Sequence, residues 1–190
     1  MMDKTIEFHK ILMRRKAGAG LKQYGLPEGY AYSFFEKGDE KAWVDIEHSV
    51  QEFKTKKAAA SYFKERYLPF NEELERRCLF IRDPNGNKIA TFTVWWEYIG
   101  QRRYPWVSWV GVKPNFQGKG IGKAIVYQGM KLLIDIEGDV ETYLKTQTWS
   151  YKAVNIYKEQ GFEIVKEKLD CNWDSDDYDK MMSVLKKHMR

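Results

Sequence analysis

Apolar side chains along this chain follow two kinds of spacing, one typical of strands and one typical of helices. Short runs rich in aromatic and β-branched residues, bounded by Gly, Pro, Asn or Asp, predict strands. The predicted strands are 6–13, 30–35, 78–81, 89–96, 106–112, 142–149, 162–165 and 181–185.

Helices are predicted where apolar residues recur at spacings of three and four. Trp43, Ile46 and Val50 define the first helix, for which Asp39 is a suitable N-cap. Thr55 is a suitable N-cap for a second helix. The remaining predicted helices are 121–136, which ends at Gly138, and a short one that follows Ser150 and ends at Gly161.

The order of these elements predicts the fold class. Residues 83–87, Asp-Pro-Asn-Gly-Asn, predict a tight turn that joins two strands in a hairpin. Hairpins combined with strand–helix–strand units favour an α/β protein of the mixed α+β kind, in which helices cover both faces of a mixed sheet. We expect residues 1–28 to form an N-terminal extension and residues 29–190 to form the domain proper.

Composition narrows the class of protein. The chain has 190 residues, of which 43% are hydrophobic, so it is long enough for one domain with a real core. Cys78 and Cys171 are the two cysteines, too few for a disulfide framework, which favours a reducing compartment. The sequence shows neither a signal peptide nor an apolar run of about 18 residues, so we expect a cytoplasmic protein without a membrane partner.

The net charge of +5 is unevenly distributed. Residues 101–137 contain six basic and two acidic side chains, and residues 1–30 contain six and three. Positive charge raises the hypothesis of a nucleic-acid binder, which steep salt-dependent binding of DNA or RNA would support. Its concentration in one internal segment favours a local anion site instead, and we predict no nucleic-acid partner.

The segment 117–123, Gln-Gly-Lys-Gly-Ile-Gly-Lys, is the most specific feature of the sequence. Alternate glycines bring several backbone N–H groups to one point just where a helix begins, and a helix N-terminus binds anions. The spacing matches neither the Walker loop, which needs Ser or Thr after the Lys, nor the dinucleotide fingerprint. A phosphate or pyrophosphate of another kind is the expected ligand.

Strand Val110-Gly111-Val112 is followed by Lys113-Pro114-Asn115-Phe116 and then by the glycine-rich segment. This pattern is similar to the (Gln/Arg)-x-x-Gly-x-(Gly/Ala) signature of the GNAT superfamily of N-acetyltransferases. Residues 153–162, Ala-Val-Asn-Ile-Tyr-Lys-Glu-Gln-Gly-Phe, are similar to its later helix, which carries a Tyr before a Gly-Phe pair. The resemblance implies a mixed, largely antiparallel sheet flanked by helices on both faces.

The resemblance also implies acetyl-CoA as donor co-substrate, with no metal. By analogy, the backbone of 110–112 pairs with the pantetheine arm and the N–H groups of 117–123 hold the pyrophosphate. Ser150 stands where many members have Asn, and its hydroxyl caps the helix or touches the cofactor, with Asn155 as a polar neighbour. The cofactor-binding residues expected on this basis are Val110, Gly111, Val112, Gln117, Gly118, Lys119, Gly120, Ile121, Gly122, Lys123, Ser150 and Asn155.

Acetyl transfer to an amine needs a neutral amine, stabilisation of negative charge on the carbonyl oxygen and a proton for the departing thiolate. Tyr157 matches the general acid of the family, and a phenol with an ordinary pKa near 10 suits that task. Glu97 follows Trp95 and Trp96 at a strand end, where desolvation would raise its pKa and suit it to act as general base. His48 is a second candidate base.

Other chemistry has less support in the sequence. Cys78 lies in an apolar strand run, typical of a buried structural thiol rather than a nucleophile. The acidic run 174–179 lacks the Gly and Glu positions of a calcium loop, so we predict no metal site and expect a solvated hairpin tip. The acceptor is predicted to be a small-molecule or peptide amine, and the sequence leaves a homodimer open. The alternative function is a catalytically silent CoA-binding regulatory module.

Overall fold

The fold was determined as a computed structural model, which describes residues 2–169 and 175–189. The strands are β1 (Lys10–Arg15), β2 (Ala31–Phe34), β3 (Cys78–Arg82), β4 (Lys88–Ile99), β5 (Arg102–Val112), β6 (Thr142–Gln147) and β7 (Phe162–Ile164). The helices are α1 (Glu40–Ser49), α2 (Lys56–Arg66), α3 (Asn71–Arg77), α4 (Ile121–Glu137), α5 (Tyr151–Glu159) and α6 (Tyr178–His188).

The seven strands form a mixed sheet in the order β2-β3-β4-β5-β6-β1-β7, flanked by helices. The pairs β2–β3, β3–β4, β1–β6 and β1–β7 are antiparallel. The pair β5–β6 is parallel and joins Trp106 to Tyr143 and Val107 to Leu144, whereas β5 itself continues to Val112. The predicted mixed α/β fold class is confirmed.

The chain forms two compact units. Part of β4 and part of β5 belong to each unit. The first consists of 1–22, 95–108 and 133–190, and the second consists of 23–94 and 109–132. Each unit is therefore assembled from segments distant in sequence.

In the first unit, β1 pairs with β6 on one side and with β7 on the other. Its residues Ile11, Leu12 and Met13 are fully buried. Arg15 is also buried and donates a hydrogen bond of 2.6 Å to Asp139, so its charge is paired. The segment that we expected to be an extension thus contributes a strand to the sheet, while the boundary at residue 28 stays a prediction.

In the second unit, the predicted hairpin is present. Asp83 holds the turn between β3 and β4 because its carboxylate accepts hydrogen bonds from the backbone N–H groups of Asn85 and Asn87. Hydrogen bonds from the Asn87 side chain, and secondly those from the two backbone N–H groups, lower the pKa of Asp83. Thr55 caps α2 as predicted, since its hydroxyl accepts from the N–H of Ala58.

The C-terminal segment differs from its prediction. Residues 181–185, predicted as a strand, lie in α6, so that prediction is wrong. Met181 and Leu185 lie one helical turn apart and are both buried, and Asp177 caps the helix by accepting from the N–H groups of Asp179 and Lys180. The described part of the acidic run, 175–179, is therefore no hairpin tip. Cys171 and Asp174 lie outside the described residues.

Among the helices of the described residues, none has the length and the apolar character needed to cross a membrane.

Candidate functional site

The glycine-rich segment forms a loop that leads into α4. Gly118 and Gly120 have φ angles of 79° and 82°, in the left-handed region that favours glycine. A Cβ atom at either position would meet no other atom within 4 Å, so backbone conformation and not crowding requires these glycines. Because the first N–H groups of an α-helix have no acceptor inside the helix, those at the start of α4 suit an anion.

Two lysines place positive charge at this loop. Lys119 lies over the Phe116 ring at 5.4 Å, and Lys123 lies over the Tyr24 ring at 4.8 Å. Lys123 also lies 3.3 Å from the Tyr24 hydroxyl. Backbone N–H groups at a helix start and nearby ammonium groups are the kinds of donor that a pyrophosphate needs, and its binding here stays a prediction.

The end of β5 is tied to this loop by one side chain. Gln117 donates a hydrogen bond of 2.8 Å from its amide to the backbone carbonyl of Val112. Val110 and Val112 are half-buried, and Gly111 is buried. The residues predicted to bind the donor from β5 and from the loop are thus brought together within the second unit.

Tyr157 lies on α5, in the first unit, where its side chain is buried. Its ring meets that of Phe162 edge-on, with the centroids 6.2 Å apart. The chain turns directly after it, because the N–H of Gln160 bonds to the Tyr157 carbonyl and Gly161 follows at a φ of 82°.

Ser150 and Asn155 accompany Tyr157 in the first unit. Ser150 occupies the N-cap position of α5, but its hydroxyl does not cap the helix. The Gln147 amide lies 3.3 Å from that hydroxyl instead. Asn155 is half-buried within α5.

Glu97 is half-buried near the end of β4, in the first unit. The rings of Trp95 and Trp96 before it are stacked 4.4 Å apart, and the Arg103 guanidinium covers Trp96 at 4.9 Å. Arg103 in turn forms a two-point ion pair with Glu137 at 2.8 and 2.9 Å. Glu97 thus follows two stacked indoles along β4, and its role as general base stays a prediction.

The second unit contains a carboxylate that the sequence analysis did not select. Glu47 on α1 is fully buried, and neither of its carboxylate oxygens has a hydrogen-bond partner among the described residues. Burial, and secondly the charge of Glu52, raises the pKa of Glu47 well above its usual range. The signal in the sequence was its spacing, because Glu47 follows Trp43 by four residues on the apolar face of the predicted helix.

Cys78 and His48 are the two remaining candidates from the sequence, and of these only Cys78 has the surroundings of a structural group. Cys78 is buried beside Thr91 and Thr93, and burial raises the pKa of its thiol to about 12, which is unsuitable for a nucleophile. His48 is half-buried on α1. Within residues 2–169 and 175–189, no group of three or more His, Cys, Asp or Glu is arranged to hold a metal ion.

Comparison with known proteins identifies the family to which the chain is similar. The model of the acetyltransferase (GNAT) family matches residues 41–162. A mycothiol acetyltransferase of Paenarthrobacter aurescens is 29% identical over 171 residues, which are 83% of this chain and 47% of that protein. An S-alkylcysteine N-acetyltransferase of Bacillus subtilis is 26% identical over 102 residues, which are 51% of this chain and 57% of that protein. The chain spans about half the length of these relatives.

Solved structures show the same fold. A GCN5-related N-acetyltransferase from Sphaerobacter thermophilus matches with a TM-score of 0.63 at 20% identity, covering 84% of this chain and 49% of that one. A GNAT-family acetyltransferase from Colwellia psychrerythraea matches with a TM-score of 0.62 at 13% identity, covering 86% and 55%.

Proposed function

Because the chain belongs to the acetyltransferase (GNAT) family, we propose that it transfers an acetyl group from acetyl-CoA to the amino group of an acceptor. The observation that carries this proposal is the glycine-rich loop at the start of α4, which contains Lys119 and Lys123 and in which Gly118 and Gly120 adopt positive φ angles. A CoA donor supplies the pyrophosphate that such a loop suits.

The donor is held largely by backbone groups in this proposal. The N–H groups of residues 118–123 bind the pyrophosphate and Lys119 and Lys123 add charge, whereas the N–H of Gln117, which the sequence placed in this set, is bonded to the Pro114 carbonyl at 3.2 Å. The backbone of 110–112 pairs with the pantetheine arm as an added strand would. Gln117 supports both parts because its amide bonds to the Val112 carbonyl.

The reaction is a direct attack of the acceptor nitrogen on the thioester carbon. The C–N bond forms, the C–S bond breaks, and the electron pair of the broken bond goes to sulfur. Tyr157 donates the proton that the thiolate gains. Glu97 accepts a proton from the nitrogen directly or through water, and Ser150 and Asn155 make polar contacts with the donor.

The acceptor proposed here is the amine of a small molecule, with a peptide amine as the alternative. One relative is named for mycothiol and another for S-alkylcysteine, both of which are sulfur-containing small molecules. An amine on a sulfur-containing small molecule is therefore the first class to test, and S-methyl-L-cysteine is a simple member of it.

Release of free CoA thiol tests the function. Purified protein with acetyl-CoA is assayed against S-methyl-L-cysteine, amino sugars, polyamines, amino acids and peptides with free N-termini. We expect thiol release with at least one small amine, together with a mass increase of one acetyl group on that amine. Binding of acetyl-CoA with no release across the panel would support the silent regulatory module instead.

Substitution of Tyr157 tests the mechanism. Tyr157→Phe keeps the buried ring and removes the hydroxyl, so turnover falls by about 10²-fold or more while acetyl-CoA affinity stays within about twofold. Tyr151→Phe is the matched control on the same helix and retains turnover. Equal turnover of Tyr157→Phe and wild type would remove Tyr157 from the role of acid.

A further inference from the structure

Lys123 stands at an unusual place for a cation, the first turn of a helix. α4 begins at Ile121, and residues 121–124 are Ile-Gly-Lys-Ala, so this turn has a net positive charge. The N-terminus of a helix already carries a positive partial charge, which is why acidic side chains, and not basic ones, are stabilising there. An ammonium group at this position becomes favourable when an anion binds beside it.

The Lys123 ammonium group is in contact with Tyr24. Its nitrogen lies 4.8 Å from the centroid of the Tyr24 ring and 3.3 Å from the Tyr24 hydroxyl. Both residues are half-buried and both belong to the second unit. Because the side chains of a helix lean toward its N-terminus, the Lys123 side chain leans toward the glycine-rich loop that precedes α4. Tyr24 therefore holds the ammonium group on the loop side of the helix.

The segment that carries Tyr24 is anchored by a turn. The N–H of Tyr30 bonds to the Pro27 carbonyl at 3.3 Å, and Gly29 within this turn has a φ of 80°. A Cβ atom at Gly29 would lie 3.2 Å from Pro84 Cγ, so the turn packs against the hairpin turn between β3 and β4. The position of Tyr24 is thus supported by a contact far from it in the sequence.

Tyr32 anchors the same segment to α4 itself. Its hydroxyl donates a hydrogen bond of 3.1 Å to the carbonyl of Ala124, the residue after Lys123. Tyr24 and Tyr32 thus contact adjacent residues of the first turn. Residues 24–32 lie along the start of α4, although the sequence analysis expected residues 1–28 to be an extension before the domain proper.

Lys119 provides a comparison within the same loop. It is exposed, and the ring beneath it belongs to Phe116, three residues earlier in the chain. An exposed lysine keeps most of its rotamer freedom, and its charge is screened by salt. Lys123 is instead half-buried against a ring that the tertiary structure supplies. Of these two lysines, Lys123 is held in place more firmly.

We propose that Tyr24 is a positioning residue for the acetyl donor, because it holds the Lys123 ammonium group where the pyrophosphate of acetyl-CoA binds. This inference rests on the proposed function and gives residues 1–28 a part in donor binding. A lysine loses rotamer freedom when it binds a phosphate, and Tyr24 removes part of that freedom beforehand. An ammonium group has three donors, so it can bond to a phosphate oxygen while it keeps its contact with the ring.

A double-mutant cycle tests the proposal. Acetyl-CoA is titrated by calorimetry into wild type, Tyr24→Leu, Lys123→Ala and the double variant. We expect Tyr24→Leu to weaken binding about fivefold, as loss of a cation–π contact predicts, and Tyr24→Phe, which keeps the ring, to stay within about twofold. In the Lys123→Ala background, Tyr24→Leu should change affinity by no more than about 1.5-fold, because Tyr24 acts through Lys123.

The matched control is Tyr127→Leu. Tyr127 lies on α4 one turn after Lys123, and its ring also has a lysine over it, Lys131 at 6.0 Å. This second pair of tyrosine and lysine is farther from the glycine-rich loop. We therefore expect Tyr127→Leu to bind acetyl-CoA with wild-type affinity.

A shortened donor provides a readout that a merely structural role would not give. S-acetylpantetheine has the same thioester as acetyl-CoA but no pyrophosphate. With the best acceptor of the thiol-release panel, Tyr24→Leu should lower kcat/KM about fivefold for acetyl-CoA, through KM, and leave kcat/KM for S-acetylpantetheine within about 1.5-fold. Equal losses with both donors would show a general structural effect and overturn the role of Tyr24.

The remaining outcomes separate this proposal from the proposed function. Fully additive losses in the cycle, or a Tyr24→Leu variant with wild-type affinity, would overturn the positioning role and leave the proposed function standing. Tighter binding by Tyr24→Leu would overturn it too, because the ring would then withhold Lys123 from the donor. Wild type that does not bind acetyl-CoA would overturn both.

Discussion

The glycine-rich loop and the contact between α1 and β5 both require glycine, but for different physical reasons. At Gly118 and Gly120 open space surrounds the position of each absent side chain, and the requirement for glycine comes from the backbone angle. At Gly111 the backbone angle is ordinary for a strand residue, and crowding by Glu47 and Ile46 imposes the glycine. The glycines of the loop are therefore required by backbone conformation, whereas Gly111 is required by packing against a buried carboxyl group.

The largest expected effect is a loss of donor affinity on substitution in the loop. Gly120→Val forces a β-branched residue into the left-handed region, so the loop shifts and its N–H groups no longer point to one anion. Affinity for acetyl-CoA, measured by calorimetry, should fall on the order of 10-fold to 100-fold, while the unfolding free energy falls by about 1 kcal/mol. Gly25→Val, at a position with open space and no positive φ, is the control.

The next effect separates the two glycine environments by stability. Gly111→Ala places a methyl group against Glu47 and Ile46, and overpacking of this kind costs about 1–3 kcal/mol. Urea unfolding should show that loss, compared with little change for Gly25→Ala. A Gly111→Ala variant as stable as wild type would show that the contact between α1 and β5 adjusts without cost. Packing would then not explain the glycine at position 111.

A smaller effect concerns the charge at the loop. Replacement of Lys119 and Lys123 by Ala removes two positive charges but leaves the backbone N–H groups in place. We expect acetyl-CoA affinity to fall about tenfold at low salt and less at high salt, because exposed charges are screened. Lys131→Ala, farther along α4, should have no such effect, and a salt-independent loss would count against the charge argument.

The last effect, which concerns stability alone and vanishes at low pH, is the pH dependence of stability due to Glu47. Because its pKa is higher in the folded protein than in the unfolded chain, the folded state holds this proton more tightly. The contribution of Glu47 to the free energy of unfolding is therefore most favourable below its unfolded pKa and declines as pH rises toward its folded pKa. Glu47→Gln should remove that decline in urea unfolding across pH 5 to 9, and Glu40→Gln should keep it. A parallel decline in wild type and Glu47→Gln would show that another group is responsible.

Local signals account for much of what could be predicted. The hairpin turn at 83–87 and the cap of α2 at Thr55 depend on nearby residues, and both are present. The strand predicted at 181–185 is wrong because a five-residue apolar run fits either period, and burial of Met181 and Leu185 on one helical face decided between them. α3, residues 71–77, was not predicted, since it has one apolar residue, Leu74, and ends directly at β3.

The candidate site likewise has features set by residues adjacent in the chain and features set by tertiary packing. The sequence by itself determined the glycine-rich loop at 117–123 and the Tyr157 helix, because backbone angles and helix ends are encoded by residues adjacent in the chain. Only the tertiary structure decided that Lys10–Arg15 form a strand between β6 and β7, and that Glu47 has no partner beside Gly111. Burial and pairing are properties of residues brought together from distant parts of the chain, so no local pattern could specify them.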